Sequence, residues 1–280
     1  MGTLLQVYTE MKNLLAENEI ASASFEADCL IEFVLGGKRL DIGGDFLVPS
    51  EEEKQLIALC NKRREGYPLQ YILKSWQFFD LELTVGEGVL IPRQDTETVC
   101  ERAFTYIQKL RVPNVLDLCS GSGAIGLSIK KYCPNAVVSA LEKSKEAYEY
   151  LLKNIQATGL AVLPILSDVF IFDDTVEDET FDVIISNPPY IREELQGKLQ
   201  KEIDFEPPMA LFAPKDGLRF YAFIIEYYKR TLKDGGLLIF EYGFDQKESV
   251  RYLLLRFDYR IIEEITDAGG NPRGIIAQKP

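Results

Sequence analysis

Val115-Leu116-Asp117-Leu118-Cys119-Ser120-Gly121-Ser122-Gly123-Ala124-Ile125-Gly126 is the stretch that decides the fold. Residues 115–118 form a short apolar run bounded by turn signals, the pattern of a buried strand. The run passes into G-x-G-x-x-G, and helical spacing resumes from 123 to about 132. Glycines permit a tight turn and let a ligand approach the backbone, and the helix that follows presents free N–H groups. Strand, glycine turn and helix together open an α/β sheet, whose ligands lie outside the carboxyl ends of the strands. A tight turn without a ligand uses the same residues, so the turn by itself names none.

The alternation continues on both sides. A helix from about Thr96 carries Val99, Ala103, Phe104, Ile107 and Leu110 on one face. Downstream, strands at 136–141, 162–166, 181–186 and 237–240 alternate with helices at 144–157 and 218–231. A helix at 246–256 and strand-like runs near 261–262 and 274–277 follow. This order predicts a mostly parallel sheet with helices on both faces. Upstream, Leu4, Val7, Tyr8, Met11, Leu14 and Leu15 fall on one helical face. Phe25, Cys29, Leu30, Phe33 and Val34 form a second stripe, stopped by Gly36-Gly37. Ser50-Glu51-Glu52-Glu53 reads as a capping box before Leu56, Ile57, Leu59 and Cys60. At Trp76 the period changes to two: Phe79, Leu81, Leu83 and Val85 alternate with polar residues. Gly86-Glu87-Gly88 then reads as a turn, with Val89-Leu90-Ile91 as the returning strand. The expected division is a small helical-bundle domain (1–75), a β-hairpin linker (76–92) and an α/β domain (93–280).

Composition removes whole classes of function. The 280 residues fit about two domains. The formal net charge of −13 repels phosphate backbones, so a DNA or RNA duplex is a poor substrate and direct nucleic-acid contact is not expected. There is no histidine, which removes imidazole bases, imidazole metal ligands and Ser-His or Cys-His mechanisms. The cysteines, Cys29, Cys60, Cys100, Cys119 and Cys133, are odd in number and widely spaced, so neither a disulfide framework nor a metal site is expected. The start MGTLLQ lacks a basic region before an apolar core, and no apolar run approaches about 18 residues. A cytoplasmic protein without membrane contact is expected.

Acids mark the ends of three successive strands. Asp117 precedes the glycines, Glu142 stands sixteen residues past Gly126, and Asp168 follows the third strand. Asp117 is expected toward an amino-acid tail, Glu142 on the two ribose hydroxyls and Asp168 on an adenine amine. A dinucleotide would set its pyrophosphate at the helix start. S-adenosyl-L-methionine carries a sulfonium and no phosphate, and three acids suit that cation better.

Asn187-Pro188-Pro189-Tyr190 follows the apolar strand at 181–186 and is far more specific. Each proline fixes φ and removes a donor, and the residue before a proline is held extended. The loop is therefore stiff. The Asn187 side-chain oxygen and the Pro188 carbonyl can face one planar NH2 group, with Tyr190 as an aromatic wall. Two acceptors on the two N–H bonds raise electron density on a delocalised nitrogen and orient it toward an activated methyl.

With these motifs the chain resembles the PrmC/HemK family of class I, Rossmann-like methyltransferases. The resemblance rests on Pro68-Leu69-Gln70-Tyr71-Ile72, on Val89-Leu90-Ile91-Pro92-Arg93-Gln94-Asp95-Thr96-Glu97, on the glycine turn and on Asn187-Pro188-Pro189-Tyr190. Glu206-Pro207, Ala210-Leu211, Asp216-Gly217-Leu218 and the ending from Asp267 to Gly274 extend it over nearly the whole chain. It implies a seven-stranded sheet and methylation of N5 of the glutamine in the Gly-Gly-Gln motif of peptide chain release factors. N6-adenine and ribosomal-protein glutamine methylation are the alternatives. A dinucleotide-dependent oxidoreductase leaves Asn187-Pro188-Pro189-Tyr190 unexplained, and a non-catalytic release-factor binder leaves the cofactor motif unexplained. The resemblance also implies that Cys119, Ser120, Gly121, Ser122 and Gly123 line the methionine part of the cofactor. Glu142 would bind ribose, and Asp168 and Val169 would border adenine. Asn187, Pro188, Pro189 and Tyr190 would form the glutamine pocket, with Arg93 at its border. Cys119 stands where the family usually has Gly, and Glu142 where it usually has Asp. The enzyme is expected to act as a monomer, docking the release factor on the helical domain.

Overall fold

The computed structural model describes residues 2–280. Two compact units share the chain. One runs through Ser75 and takes in Gln200–Phe205; the other holds Trp76–Leu199 and Glu206–Pro280.

The first unit is helical: α1 (Leu4–Glu17), α2 (Ala23–Leu35), α3 (Arg39–Ile42), α4 (Ser50–Arg64) and α5 (Leu69–Leu73). Leu4, Val7, Met11 and Leu15 of α1 meet Ala27, Leu30 and Ile31 of α2 and Leu56 and Cys60 of α4 in its core. A capping box does form, but at Thr3 rather than Ser50. Thr3 Oγ1 accepts from Gln6 N (3.3 Å) and Gln6 Oε1 accepts from Thr3 N (2.9 Å). Pro49 is the N-cap of α4, so Ser50 is already helical, and Glu53 accepts from Gly2 N instead (3.2 Å). The stripe expected on α2 is also rotated. Phe25 and Phe33 are exposed, while Ala23, Glu26, Ala27, Leu30 and Ile31 face inward. The cause is Arg63 of α4, whose Nε holds the buried Glu26 carboxylate at 2.6 Å. Turning Phe25 and Phe33 inward would break that pair and strand two buried charges. Arg63 also reaches Glu202 (2.9 Å), and Phe205 meets the Tyr67 ring edge-on at 5.3 Å. These contacts explain why Gln200–Phe205 belongs with the helices.

The second unit opens on a hairpin, β1 (Ser75–Phe78) and β2 (Leu81–Thr84). The β1–β2 turn falls at Phe79-Asp80; Gly86-Glu87-Gly88 is a turn as expected, closed by Val89 N donating to Gly86 O (3.3 Å), but residues 89–91 after it form no strand. Phe79 takes a left-handed φ of 52°, and its N–H donates to Glu97 (2.5 Å). Ile91 N donates to the Glu206 carboxylate (3.0 Å) rather than to a strand.

Then follow α6 (Gln94–Ile107), β3 (Asn114–Leu118), α7 (Ala124–Tyr132), β4 (Val137–Glu142), α8 (Lys145–Thr158), β5 (Val162–Leu166), α9 (Val169–Phe172) and β6 (Phe181–Ser186). The chain continues through β7 (Ile191–Arg192), α10 (Pro208–Leu211), β8 (Phe212–Ala213), α11 (Arg219–Tyr227), β9 (Leu232–Glu241), α12 (Lys247–Arg256), β10 (Arg260–Thr266) and β11 (Pro272–Gln278). Seven strands make the central sheet in the order β10-β11-β9-β6-β3-β4-β5. The five from β9 to β5 are parallel, and β11 pairs antiparallel with both β9 and β10. Side chains alternate across the pleat. Val115, Val183, Ile185 and Ile239 pack under α6 and α7, while Leu116, Leu118, Ile184, Leu238 and Phe240 pack under α11 and α12. Both faces are covered, so the strands read as unbroken apolar runs.

Candidate active site

The chain moves from β3 outward to β5, then returns to the other side of β3 with β6. Such a reversal opens a crevice at the carboxyl ends of the strands. Leu118 lies in register with Leu141 on one side and Ser186 on the other, so Cys119, Glu142 and Asn187 leave the sheet side by side. Above them is a cleft with about 1010 Å³ of empty space, its open mouth included. Arg93, Cys119, Ser120, Gly121, Ser122, Glu142, Asp168, Val169, Asn187 and Pro189 all line it. Asp117, Gly123, Pro188 and Tyr190 do not; they stand behind the wall.

Three of those four have a supporting contact. Asp117 is fully buried, and its Oδ2 accepts from Gly126 N (2.9 Å), tying the strand end to α7. It does not point along the cleft toward a ligand tail. Burial pushes its carboxyl up to about 8, against the opposing Gly126 N–H. Gly123 caps α7 at φ 85°, where a Cβ would also meet Leu151. Tyr190 turns toward the core under α11 and α12 rather than forming the expected wall, and burial raises its hydroxyl well above the ordinary tyrosine range. Its carbonyl accepts from Gln246 Nε2 (3.0 Å), and Gly217, at φ 79°, lies so close that a Cβ would strike that carbonyl. The Pro188-Pro189 corner is thus braced from behind.

At one end of the cleft the acids are already organised. Glu142 Oε2 accepts from Gly121 N (2.7 Å), and Oε1 accepts from Lys143 N (2.9 Å) and Ser144 N (2.8 Å). A carboxylate has about four lone-pair sites. One therefore remains for a ligand hydroxyl rather than the two expected, because the longer glutamate reaches back to the glycine turn. Burial raises its carboxyl, and the three N–H groups oppose the shift. Asp168 caps α9 by accepting from Phe170 N (3.0 Å) and pairs with Lys143 Nζ (2.8 Å). Burial opposes ionisation there, but Lys143 and the Phe170 N–H hold its carboxyl below the usual range.

Lys143 and Arg93 are the two cations among the residues lining the cleft. Both are already paired, Lys143 with Asp168 and Arg93 with Glu206. No free cation awaits a pyrophosphate. Ser120 Oγ, by contrast, is buried with no partner. An acid-rich pocket with an unfilled polar group fits S-adenosylmethionine better than a dinucleotide.

At the other end, Asn187 Nδ2 donates to Thr96 Oγ1 (3.2 Å). Glu241, at the end of β9, is buried, and its Oε2 has no partner. Leu90, Pro92, Pro207, Met209 and Ala210 wall the cleft with apolar surface. Glu206 holds two of the wall segments together, accepting from Ile91 N and from Arg93. Sequence reasoning did not single out Thr96, Lys143, Met209, Phe220 or Glu241. Lys143 follows a strand-end acid and Glu241 ends a strand beside that of Asn187, so strand-end position was the available signal.

Comparison with known proteins settles the family. Over 281 residues the chain is 34% identical to the release factor glutamine methyltransferase of Clostridium botulinum, with 99% of each chain covered. The chain belongs to the release factor glutamine methyltransferases. The family member from Escherichia coli is 34% identical over 251 residues, covering 89% of each chain. Residues 6–73 match the PrmC N-terminal domain and residues 103–204 the methyltransferase small domain. In fold, a methyltransferase from Pyrococcus furiosus superposes with a TM-score of 0.54 at 21% identity, covering 81% of this chain and 98% of that one. The sheet and its helices are thus those of the S-adenosylmethionine-dependent methyltransferases of this family.

Proposed function

We propose that this enzyme transfers a methyl group from S-adenosylmethionine to the N5 amide of the glutamine in the Gly-Gly-Gln motif of peptide chain release factors. One observation carries the chemistry: a single cleft joins an acid-lined end to Asn187, whose Nδ2 is taken by Thr96. S-adenosylmethionine supplies an electrophilic methyl on a sulfonium centre. The residues of this chain supply position. Glu142 and Asp168 hold the nucleoside end, and the glycine turn lies under the methionine end. Asn187 Oδ1 accepts an N–H bond of the substrate carboxamide and turns the nitrogen lone pair toward the methyl. Alignment of this kind can supply about 7–11 kcal/mol at its limit. As the nitrogen gains carbon it becomes acidic, and the proton leaves to water, so the lack of histidine is no obstacle.

The release factor is the protein partner, and the surface charge argues against nucleic acid as a direct one. Among the described residues no helix is long and apolar enough to cross a membrane. We place the enzyme in the cytoplasm beside the translation machinery and expect it to act as a monomer.

The test uses purified enzyme with methyl-labelled S-adenosylmethionine, a release factor and duplex DNA in one reaction. Label should appear only in the release factor, on the glutamine-bearing peptide. Asn187→Ala should lose transfer and still bind S-adenosylmethionine in calorimetry. Label on DNA, or full activity in Asn187→Ala, would refute the reading.

A further inference from the structure

Glutamine and glutamate side chains have nearly the same shape and differ by an NH2 group against a charged oxygen. A cleft that takes a carboxamide on Asn187 must refuse the carboxylate by polarity and charge, because size does not separate them. Asn187 Oδ1 is an acceptor, which an acceptor-only carboxylate cannot use. A free cation beside it would undo that preference, because a guanidinium binds carboxylates strongly and in forked geometry.

Arg93 stands at that end. It lines the same cleft as Asn187 and lies three residues before Thr96, the partner of Asn187 Nδ2. Its side chain is 37% exposed, so solutes reach it. It is also the N-cap of α6, where the unpaired N–H groups of the first turn add positive potential. The two acids of that turn are engaged elsewhere. Asp95 pairs with Arg273 (3.1 Å), and Glu97 accepts from Phe79 N (2.5 Å). Glu206 supplies the opposing charge. Its side chain is 1% exposed and its oxygens are divided: Oε1 pairs with Arg93 Nη2, and Oε2 accepts from Ile91 N (3.0 Å). Among the described residues it is the one acid in ion-pair contact with Arg93. One carboxylate thereby holds the residues on either side of Pro92, which itself faces the cleft.

We infer that Glu206 is a specificity-determining residue: it occupies Arg93 as an internal anion and so keeps the Asn187 end of the cleft selective for a neutral carboxamide over the carboxylate of the same shape. This role rests on the methyl-transfer reading above and deepens it, since that reading gives the pocket its carboxamide.

The experiment uses the full chain as wild type, as Glu206→Gln, as Arg93→Gln and as the double variant with both changes. Calorimetry with the demethylated cofactor, S-adenosylhomocysteine, reads Kd without transfer. The ligands are a release factor and the same factor with glutamate in place of the motif glutamine. Wild type should favour the glutamine form. In Glu206→Gln the amide oxygen can still accept from Ile91 N, but the freed Arg93 charge should narrow that preference by about tenfold, and added salt should restore it. Arg93→Gln leaves the Glu206 charge unbalanced and should widen the preference. The double variant removes both charges and should return close to wild type. A lost wall shape would weaken both ligands together and could not give opposite signs. Equal affinity of wild type for both forms, or a preference in Glu206→Gln equal to that of wild type or of the double variant, overturns the role. A readout without release factor separates this role from the function itself. The Arg93 Nε–H signal, assigned by its loss in Arg93→Gln, should move with added acetate in Glu206→Gln and stay fixed in wild type. No movement in Glu206→Gln overturns the role whatever the substrate proves to be, whereas a wild type that labels no release factor counts against the methyl-transfer reading alone. Should either single variant fail to fold, the other and the double variant carry the same comparison, and equal preferences overturn the role.

Discussion

Asp117 shows how a single buried acid leaves a mark on the whole protein. Its carboxyl sits in an apolar wall with one N–H partner, and Oδ1 has none. The folded protein therefore keeps its proton up to about pH 8, whereas the unfolded chain releases it near 4. Between those limits the native state binds more protons than the unfolded state, so this group lowers stability as pH rises. Asp117→Asn keeps an acceptor for Gly126 N and removes the titration. Urea unfolding from pH 5 to 8 should show a shallower pH dependence in the variant, by up to about 1.4 kcal/mol per pH unit, the value of one proton. Equal slopes would place the titration elsewhere. Sequence reading found the acid and its strand end. It aimed the side chain at a ligand, because nothing in D-L-C-S-G-S-G tells whether a strand-end carboxylate turns outward or back to the third glycine.

At the scale of elements, Asn154 joins three. Its Oδ1 accepts from Thr84 N (2.7 Å), and Nδ2 donates to Thr84 O (3.1 Å) and Ser122 O (2.9 Å). Strand β2, helix α8 and the glycine turn are thereby held by one side chain that is 1% exposed. Asn154→Ala leaves buried backbone groups unpaired, at a cost of about 1–3 kcal/mol for each stranded group. The variant should melt earlier and bind S-adenosylmethionine more weakly by calorimetry; a melting point equal to wild type would show the contacts to be incidental. Elements of the α/β unit were legible because covered strands are apolar throughout and the helices between them keep a strong period. The hairpin was placed too late along the chain. Alternation from Phe79 to Val85 is genuine, but its turn depends on Phe79 taking a left-handed backbone, which propensity disfavours. The face of α2 was misjudged for a related reason: a salt bridge with Arg63, distant in sequence, outweighed two phenylalanines.

Over the whole molecule the five thiols share a quiet chemistry. Burial pushes Cys29, Cys60 and Cys133 up to about 11, and Cys100 and Cys119 higher still. Acidic neighbours Glu32, Glu26 and Asp28 add to the rise at Cys29. The thiolate is the reactive form, so iodoacetamide at neutral pH should leave the native enzyme almost unmodified and should label all five thiols once it is denatured in urea. Mass spectrometry reads the result, and rapid native labelling at Cys119, which lines the cleft, would contradict its raised thiol.

The grip of Glu142 on Gly121, Lys143 and Ser144 carries a last implication for recognition. The main chain around the proposed nucleoside seat is held by these bonds from folding onward, before any guest arrives. Ordering entropy is thus settled in advance, and the visitor's affinity reflects its own contacts rather than the labour of shaping its berth.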